Sequence, residues 1–219
     1  IAWRDTGAVS VTTVRELIAG TTYRKINHFP GMGEICLKHC LGHHMNRMRK
    51  NFKSLYKHVP RTWVLPVDIA SLKEFMSSRK NKNITLICKP THMCQGRGIY
   101  LTKKIPDFNP NMHDNDDDGN QKNSAASKML VVQQYISKPL LINQFKFDLR
   151  IYVAITSCLP HMRAFIHREG LTRFCTEPYQ APTNKNIDCS YMHLTNYAVN
   201  KKNTGAFVQP SMNNNNNNE

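Results

Sequence analysis

Lys146-Phe147-Asp148-Leu149-Arg150-Ile151-Tyr152-Val153-Ala154-Ile155-Thr156-Ser157 is the stretch on which the fold turns. Phe147, Leu149, Ile151, Val153 and Ile155 recur at every second position, with Lys146, Asp148, Arg150 and Tyr152 between them. A period of two belongs to a pleated strand, whose successive side chains point to opposite faces. The pattern predicts a strand whose apolar face packs into a core. Its other face carries three charged groups spread over roughly 13 Å, at about 3.3 Å per residue. Two readings of that face stand: the solvent-facing side of an ordinary sheet, or a strand facing a polyphosphate, where Lys and Arg neutralise developing charge. Leu159-Pro160 marks a turn, after which Met162 to His167 is expected to return antiparallel.

Upstream, Ile84 to Cys88 is a short β-prone run that leads into Lys89-Pro90 and a loop carrying Gly96 and Gly98. A second strand is expected at Ile99 to Thr102. Such a loop lets backbone amides approach phosphates beneath a lysine ammonium, although on spacing alone a lone Gly-x-Gly suits a simple hairpin better, and no Walker pattern is present. Met129 to Ile136 reads as a buried strand. Between residues 106 and 127 the composition shifts to Asn, Asp, Gly, Lys and Ser, as in a solvated insertion.

Nearer the start, Leu37, Leu41, Met45, Met48, Phe52 and Leu55 fall at three- and four-residue spacings, predicting an amphipathic helix or two over 34 to 56. Val59 to Pro66 reads as an extended, turn-like connector, and a further helix is expected near Ile69 to Arg79. A lobe boundary is placed around residues 60 to 80. After Asn203 the pattern ends, and Asn213 to Asn218 is low complexity.

The 219 residues are 40% hydrophobic, enough for one or two packed lobes. Thirty Lys and Arg against fifteen Asp and Glu give a net charge of +15, and four of the acids (Asp114, Asp116, Asp117, Asp118) lie in one run, so the remaining surface is strongly basic. That surface attracts a polyanion. The sequence lacks the aromatic-interleaved basic stripe and the motifs of nucleic-acid binders, so an acidic protein partner is equally open on charge alone, and with the motifs quoted below no nucleic acid is expected.

Seven scattered cysteines read as reduced intracellular thiols, and no apolar stretch approaches the roughly 20 residues of a membrane span. A soluble, cytosolic protein without a membrane partner is expected. Cys36, His39, Cys40, His43 and His44 have ligand-like spacing, but structural zinc draws on two separated ligand pairs, and a mixed helix face explains them better.

Taken together, several motifs resemble the tubulin tyrosine ligase-like family. They are Lys25-Ile26-Asn27-His28-Phe29-Pro30-Gly31-Met32, Pro60-Arg61-Thr62-Trp63, Cys88-Lys89-Pro90, Gln95-Gly96-Arg97-Gly98-Ile99, Gln133-Gln134-Tyr135-Ile136, Lys146-Phe147-Asp148-Leu149-Arg150 and His193-Leu194-Thr195-Asn196-Tyr197. The resemblance implies an α/β ATP-grasp fold with its carboxy-terminal part cut short. It divides the chain into an amino-terminal lobe (1–77), a central lobe (78–140), an incomplete carboxy-terminal lobe (141–203) and a tail (204–219).

It also implies roles. Lys89 would hold ATP phosphates, Gln95 and Gly96 would belong to the covering loop, and Gln133, Gln134, Tyr135 and Ile136 would form the hinge that reads adenine. Lys146, Phe147, Asp148, Thr195 and Asn196 would complete the nucleotide pocket, and Arg150 would sit with Lys146 near the transferred phosphoryl group. Arg173, with Tyr197, would meet the incoming glutamate. The implied reaction is ATP-dependent ligation of glutamate to the acidic tails of tubulin through an acyl phosphate, by a monomeric protein of the cytoplasm and cytoskeleton, with the cilium, flagellum or basal body as a further location. Mg²⁺ would be needed, and its ligands are expected downstream of residue 219, none being assigned within the chain. Two other readings stand beside this one: an inactive microtubule-binding module, and a relative that ligates glycine or tyrosine.

Overall fold

The computed structural model describes residues 27–29, 31–91, 93–107 and 129–208, together with Thr12, Arg15 and Ala19. The chain forms two compact units, Ile1–Met93 with Leu101–Tyr135, and Cys94–Tyr100 with Ile136–Glu219. The architecture is mixed α/β with antiparallel sheets.

In the first unit, helices α1 (Gly33–Cys36) and α2 (Lys38–Asn51) precede strand β1 (Thr62–Leu65), helix α3 (Ile69–Ser77), a short 3-10 turn (Arg79–Asn81) and strand β2 (Leu86–Pro90). Strands β3 (Tyr100–Thr102) and β4 (Leu130–Gln134) complete a four-stranded sheet in the order β1-β4-β2-β3. β4 pairs with β1 through Trp63 opposite Val132 and Leu65 opposite Leu130, and with β2 through Cys88 opposite Val132. Alternation then sorts the sheet into two faces. On one face Trp63, Leu65, Leu86, Cys88, Leu130 and Val132 pack with Leu72 of α3 as the core, with Phe75 against Trp63. Each fully buried aliphatic side chain there contributes about 1.5–3 kcal/mol by leaving water. The other face carries Thr62, Val64, Lys89, Val131 and Gln133.

Helix α2 lies on that second face by way of a glycine. A Cβ on Gly42 would stand 3.0 Å from the Thr62 methyl and 3.7 Å from a Val64 methyl. Two expectations are corrected here. Val59 to Pro66 is not merely a connector, because Thr62–Leu65 within it is a strand buried along its whole length; the prolines flank the strand, where missing N–H groups cost no ladder bond. The predicted apolar stripe is not the buried face of the helix either. Within α2 Leu41 is exposed and Met45 and Met48 are half-buried, since close approach at Gly42 turns the helix's small face toward the sheet; Leu37, Phe52 and Leu55, beyond its ends, are exposed too. The helix expected near Ile69 to Arg79 is present as α3, and β1 joins β4 in one sheet, so residue 77 lies within the first unit.

In the second unit, β5 (Leu141–Ile142), β6 (Phe145–Ser157) and β7 (Arg163–Phe174) form a three-stranded antiparallel sheet, followed by the single turns α4 (Ser190–His193) and α5 (Tyr197–Asn200). Asn143 and Gln144 join β5 to β6 with φ of 49° and 69°, the paired positive values of a tight hairpin turn. The long strand read from the sequence is present, and so is its antiparallel return. Its apolar face is not packed into a core, however. Leu149, Ile151 and Val153 are more than half exposed, because α4 packs only against the start of β6 and no other described element covers the outer hairpin. The insertion expected at 106–127 lies almost wholly outside the described residues, as does the end of the tail.

Replacing Gly42 with Val puts methyl groups where Thr62 and Val64 already stand. The expected loss is about 1–3 kcal/mol, measured as a lowered urea midpoint with an unchanged slope.

Candidate functional site

Lys89 leaves β2 on the sheet face opposite the core. Its Nζ donates to Gln133 Oε1 at 2.8 Å, Gln133 Nε2 donates to Thr62 Oγ1 at 2.8 Å, and Thr62 Oγ1 donates to the Pro60 carbonyl at 3.0 Å. The relay crosses three strands. It exists because Gln133 faces Thr62 in register and lies diagonal to Lys89 across the neighbouring pair. Lys38, the first residue of α2, donates to the carbonyls of Pro90 at 2.8 Å and Met93 at 2.5 Å, fixing the chain as it leaves β2. Burial, and then repulsion from Lys38, hold the Lys89 ammonium below the usual lysine range. Lys89 forms no ion pair with any described residue, so the relay leaves a partly buried positive charge uncompensated.

The other hinge candidates lie at the end of the same sheet. Gln134 closes β4 and its amide donates to the Arg61 carbonyl, and buried Tyr135 donates its amide to the Thr85 carbonyl. The chain then passes into the second unit at Ile136, whose side chain is exposed.

In the second unit, Gln95, Gly96 and Gly98 take φ of 59°, 88° and 66°. Glycine is required at 96 on two counts: the left-handed backbone, and a virtual Cβ 2.9 Å from Asn196 Cγ and 3.0 Å from a Val199 methyl. The glycine loop and Asn196, two motifs a hundred residues apart, thus meet in one contact.

Asp148 stands opposite Arg173 across β6 and β7, and the two form a bidentate pair, Arg173 Nε to Oδ1 at 2.8 Å and Nη2 to Oδ2. The hydrogen bonds to Asp148 raise the guanidinium's already high pKa. Lys146 donates to the His193 carbonyl at 2.7 Å. Phe147 stacks obliquely on Phe174, its partner in register. Arg150 is exposed, and its carbonyl lies 2.7 Å from where a Gly170 Cβ would sit, so only glycine allows the strands this approach.

Arg173, Thr195 and Tyr197 line a common cavity of about 560 Å³ with Phe145, Asn200 and Phe207. Burial pushes the Cys175 thiol in the same wall up to about 12, so it stays protonated and unreactive at neutral pH. Among the described residues no three His, Cys, Asp or Glu side chains converge on a metal position, and the Cys36–His44 cluster forms no such group.

Two residues of this site carry no periodic signal in the sequence, although His193 opens one of the motifs quoted above. Asn200 is almost fully buried. Its amide donates to the carbonyls of Leu194 and Asn196, and its oxygen accepts from the Thr176 amide and hydroxyl. His193, 1% exposed, places its Nε2 3.0 Å from the Asn186 carbonyl, and burial lowers its pKa. Together they hold Leu194-Thr195-Asn196 in place. A single buried Asn or His in a polar stretch has no periodicity to betray it.

Comparison with known proteins supplies a context. A model described as the tubulin-tyrosine ligase family matches residues 16–219. The chain is 47% identical over 199 residues to the tubulin polyglutamylase ttll6 of Danio rerio, covering 91% of this chain and 23% of that protein. It is 46% identical over 201 residues to the human tubulin polyglutamylase TTLL13, covering 92% and 22%. It is 44% identical over 182 residues to a probable beta-tubulin polyglutamylase of Tetrahymena thermophila, covering 83% and 14%. The chain therefore spans less than a quarter of the length of these curated relatives.

His193 provides a pH test. Its folded pKa lies below the ordinary value of about 6.5, so the unfolded chain binds more protons as the pH falls. Stability from neutral His193 is complete above about pH 6.5 and declines as the pH falls toward the depressed value. Urea midpoints between pH 7.5 and 5 are expected to fall, and His193→Gln should flatten that dependence.

Proposed function

The chain belongs to the tubulin-tyrosine ligase family, and from that premise we propose that it is the nucleotide- and amino-acid-handling part of an ATP-dependent ligase with an ATP-grasp fold. In this reading the ligase adds glutamate to glutamate side chains in the acidic carboxy-terminal tails of tubulin, at the cytoskeleton. The observation that carries it is the uncompensated Lys89 charge. A partly buried cation beside a second lysine is costly unless an anion completes it, and a polyphosphate is such an anion.

The names of the relatives support the choice of tubulin as acceptor and glutamate as donor. The chemistry proceeds by transfer of a phosphoryl group to an acceptor carboxylate, attack of the glutamate amine on the acyl phosphate, and loss of inorganic phosphate with formation of an amide. Lys89 and Lys146 neutralise phosphate charge, the Gln95–Gly98 loop presents backbone amides, and Arg150, the exposed cation of β6, meets the transferred group. Arg173 offers the glutamate carboxylate the outer edge of a guanidinium already fixed in place by Asp148. Mg²⁺ neutralises polyphosphate charge in such reactions. Among the described residues no three His, Cys, Asp or Glu side chains converge to hold it.

Lys89→Met removes the charge and keeps much of the stem. The melting temperature is expected to hold or rise, while ATP affinity in the full-length protein falls by about tenfold or more, equivalent to about 1.4 kcal/mol. Unchanged ATP affinity, measured by calorimetry, would remove Lys89 from the site.

Arg173→Ala in the full-length protein is expected to raise the KM for glutamate by at least about tenfold, with the KM for ATP much less affected. Equal losses for both substrates would instead assign Arg173 to holding the hairpin.

A further inference from the structure

A second cavity, of about 750 Å³, opens in the first unit along the outer edge of β1, between α2 and α3. It shares Thr62 with the relay behind Lys89 and contains none of the residues proposed to touch ATP or glutamate. Arg49, Lys50 and Lys53 reach it from the end of α2 and Arg61 from the approach to β1. None of the four forms an ion pair with a described residue. Arg49 is held by the Val59 carbonyl at 2.8 Å, and the Arg61 guanidinium lies 4.9 Å from the Phe75 ring centroid. Two cations are thus fixed by contacts that leave their charge uncompensated, and Lys50 and Lys53 are exposed beside them.

Edge strands invite another strand, but this one is closed to it. The Asp68 carboxylate accepts from the Val64 amide at 2.8 Å, the Asp68 amide donates to the Val64 carbonyl at 2.9 Å, and Asn46 Nδ2 donates to the Thr62 carbonyl at 2.7 Å. An occupant must therefore be held by its side chains.

We propose that this cleft is a docking site for an acidic peptide segment, whose carboxylates pair with Arg49, Lys50, Lys53 and Arg61. Two carboxylates share the lining: Asp68, already engaged by the Val64 amide, and Glu74, which decides between anions. A peptide offers it backbone N–H groups, whereas polyphosphate and the DNA backbone have no such donors and meet only repulsion. Nor is there a free stacking platform: Trp63 is 5% exposed, and Arg61 covers Phe75. The site is separate from the ligation chemistry, so its occupancy is measurable without ATP or glutamate.

The test is fluorescence anisotropy of a labelled deca-glutamate peptide with the full chain at low salt. The variants are Lys50→Glu/Lys53→Glu and, as a control of equal charge change, Lys185→Glu/Lys202→Glu, at exposed positions of the other unit. The expected result is a loss of tenfold or more for the cleft variant and under threefold for the control, with an arginine-to-glutamate change at Arg61 adding to the loss. Equal losses in both variants would reduce the effect to bulk charge and overturn the proposal. So would undiminished binding by the cleft variant, or a labelled oligonucleotide binding more tightly than the peptide with the same dependence on Lys50 and Lys53. Ligase activity of the cleft variant on free short peptides reports on the proposed reaction separately, so the two failures are distinguishable.

Discussion

Strand β4 has two neighbours, and that constraint organises the first unit. Leu130–Gln134 must satisfy backbone groups toward β1 and β2 at once, which fixes both registers. With the registers fixed, side-chain alternation leaves no freedom. Leu130 and Val132 join Trp63, Leu65, Leu86 and Cys88 in the core, while Gln133 is delivered between Thr62 and Lys89 on the opposite face. A slip of one residue would send Gln133 into the core and Val132 toward the lysine. The hydrophobic side of the sheet thus enforces the geometry of its polar side, and the position of Lys89 is stabilised by the burial energy of residues that never touch it.

The second unit solves a comparable problem with polar groups. Its hairpin has no described element over the outer part, so its position-holding contacts gather near the β5 end. There Asp148 and Arg173 tie β6 to β7, Lys146 caps the carbonyl of His193, and Asn200 fastens Leu194 and Asn196 to Thr176. A buried, hydrogen-bonded group such as Asn200 specifies one arrangement, because every alternative leaves a donor or acceptor unpaired at about 1–3 kcal/mol. Gly96 then packs onto Asn196 because that residue is already fixed.

These mechanisms explain what the sequence disclosed. Alternation from Phe147 to Ile155 revealed β6, and the short β-prone runs around Cys88 and Val132 revealed β2 and β4, because a periodic pattern is a local signal. β1 was hidden: Thr62–Leu65 is covered on both faces, so it shows no alternation, and its flanking prolines imitate a connector. The contact face of α2 was hidden because its centre is Gly42, which a count of apolar residues does not register. Arg173 and Asp148 were legible as candidates, but their pairing depends on a hairpin register that two irregularities shift, between Ile151 and Val153 and between Ile155 and Ser157.

That pairing changes what Arg173 means chemically. An unpaired arginine would reorient toward any carboxylate, paying rotamer entropy each time. Held bidentate by Asp148 through Nε and one Nη, it has lost that freedom on folding and retains N–H donors on its other edge. Asp148 also cancels most of its net charge, so a second carboxylate is selected by donor geometry more than by Coulomb attraction. Lys89 is the opposite case, a cation that donates to a neutral amide and forms no ion pair among the described residues, so its charge remains available. One group is arranged for shape and the other for charge, the division that the proposed function assigns to an amino acid and a polyphosphate.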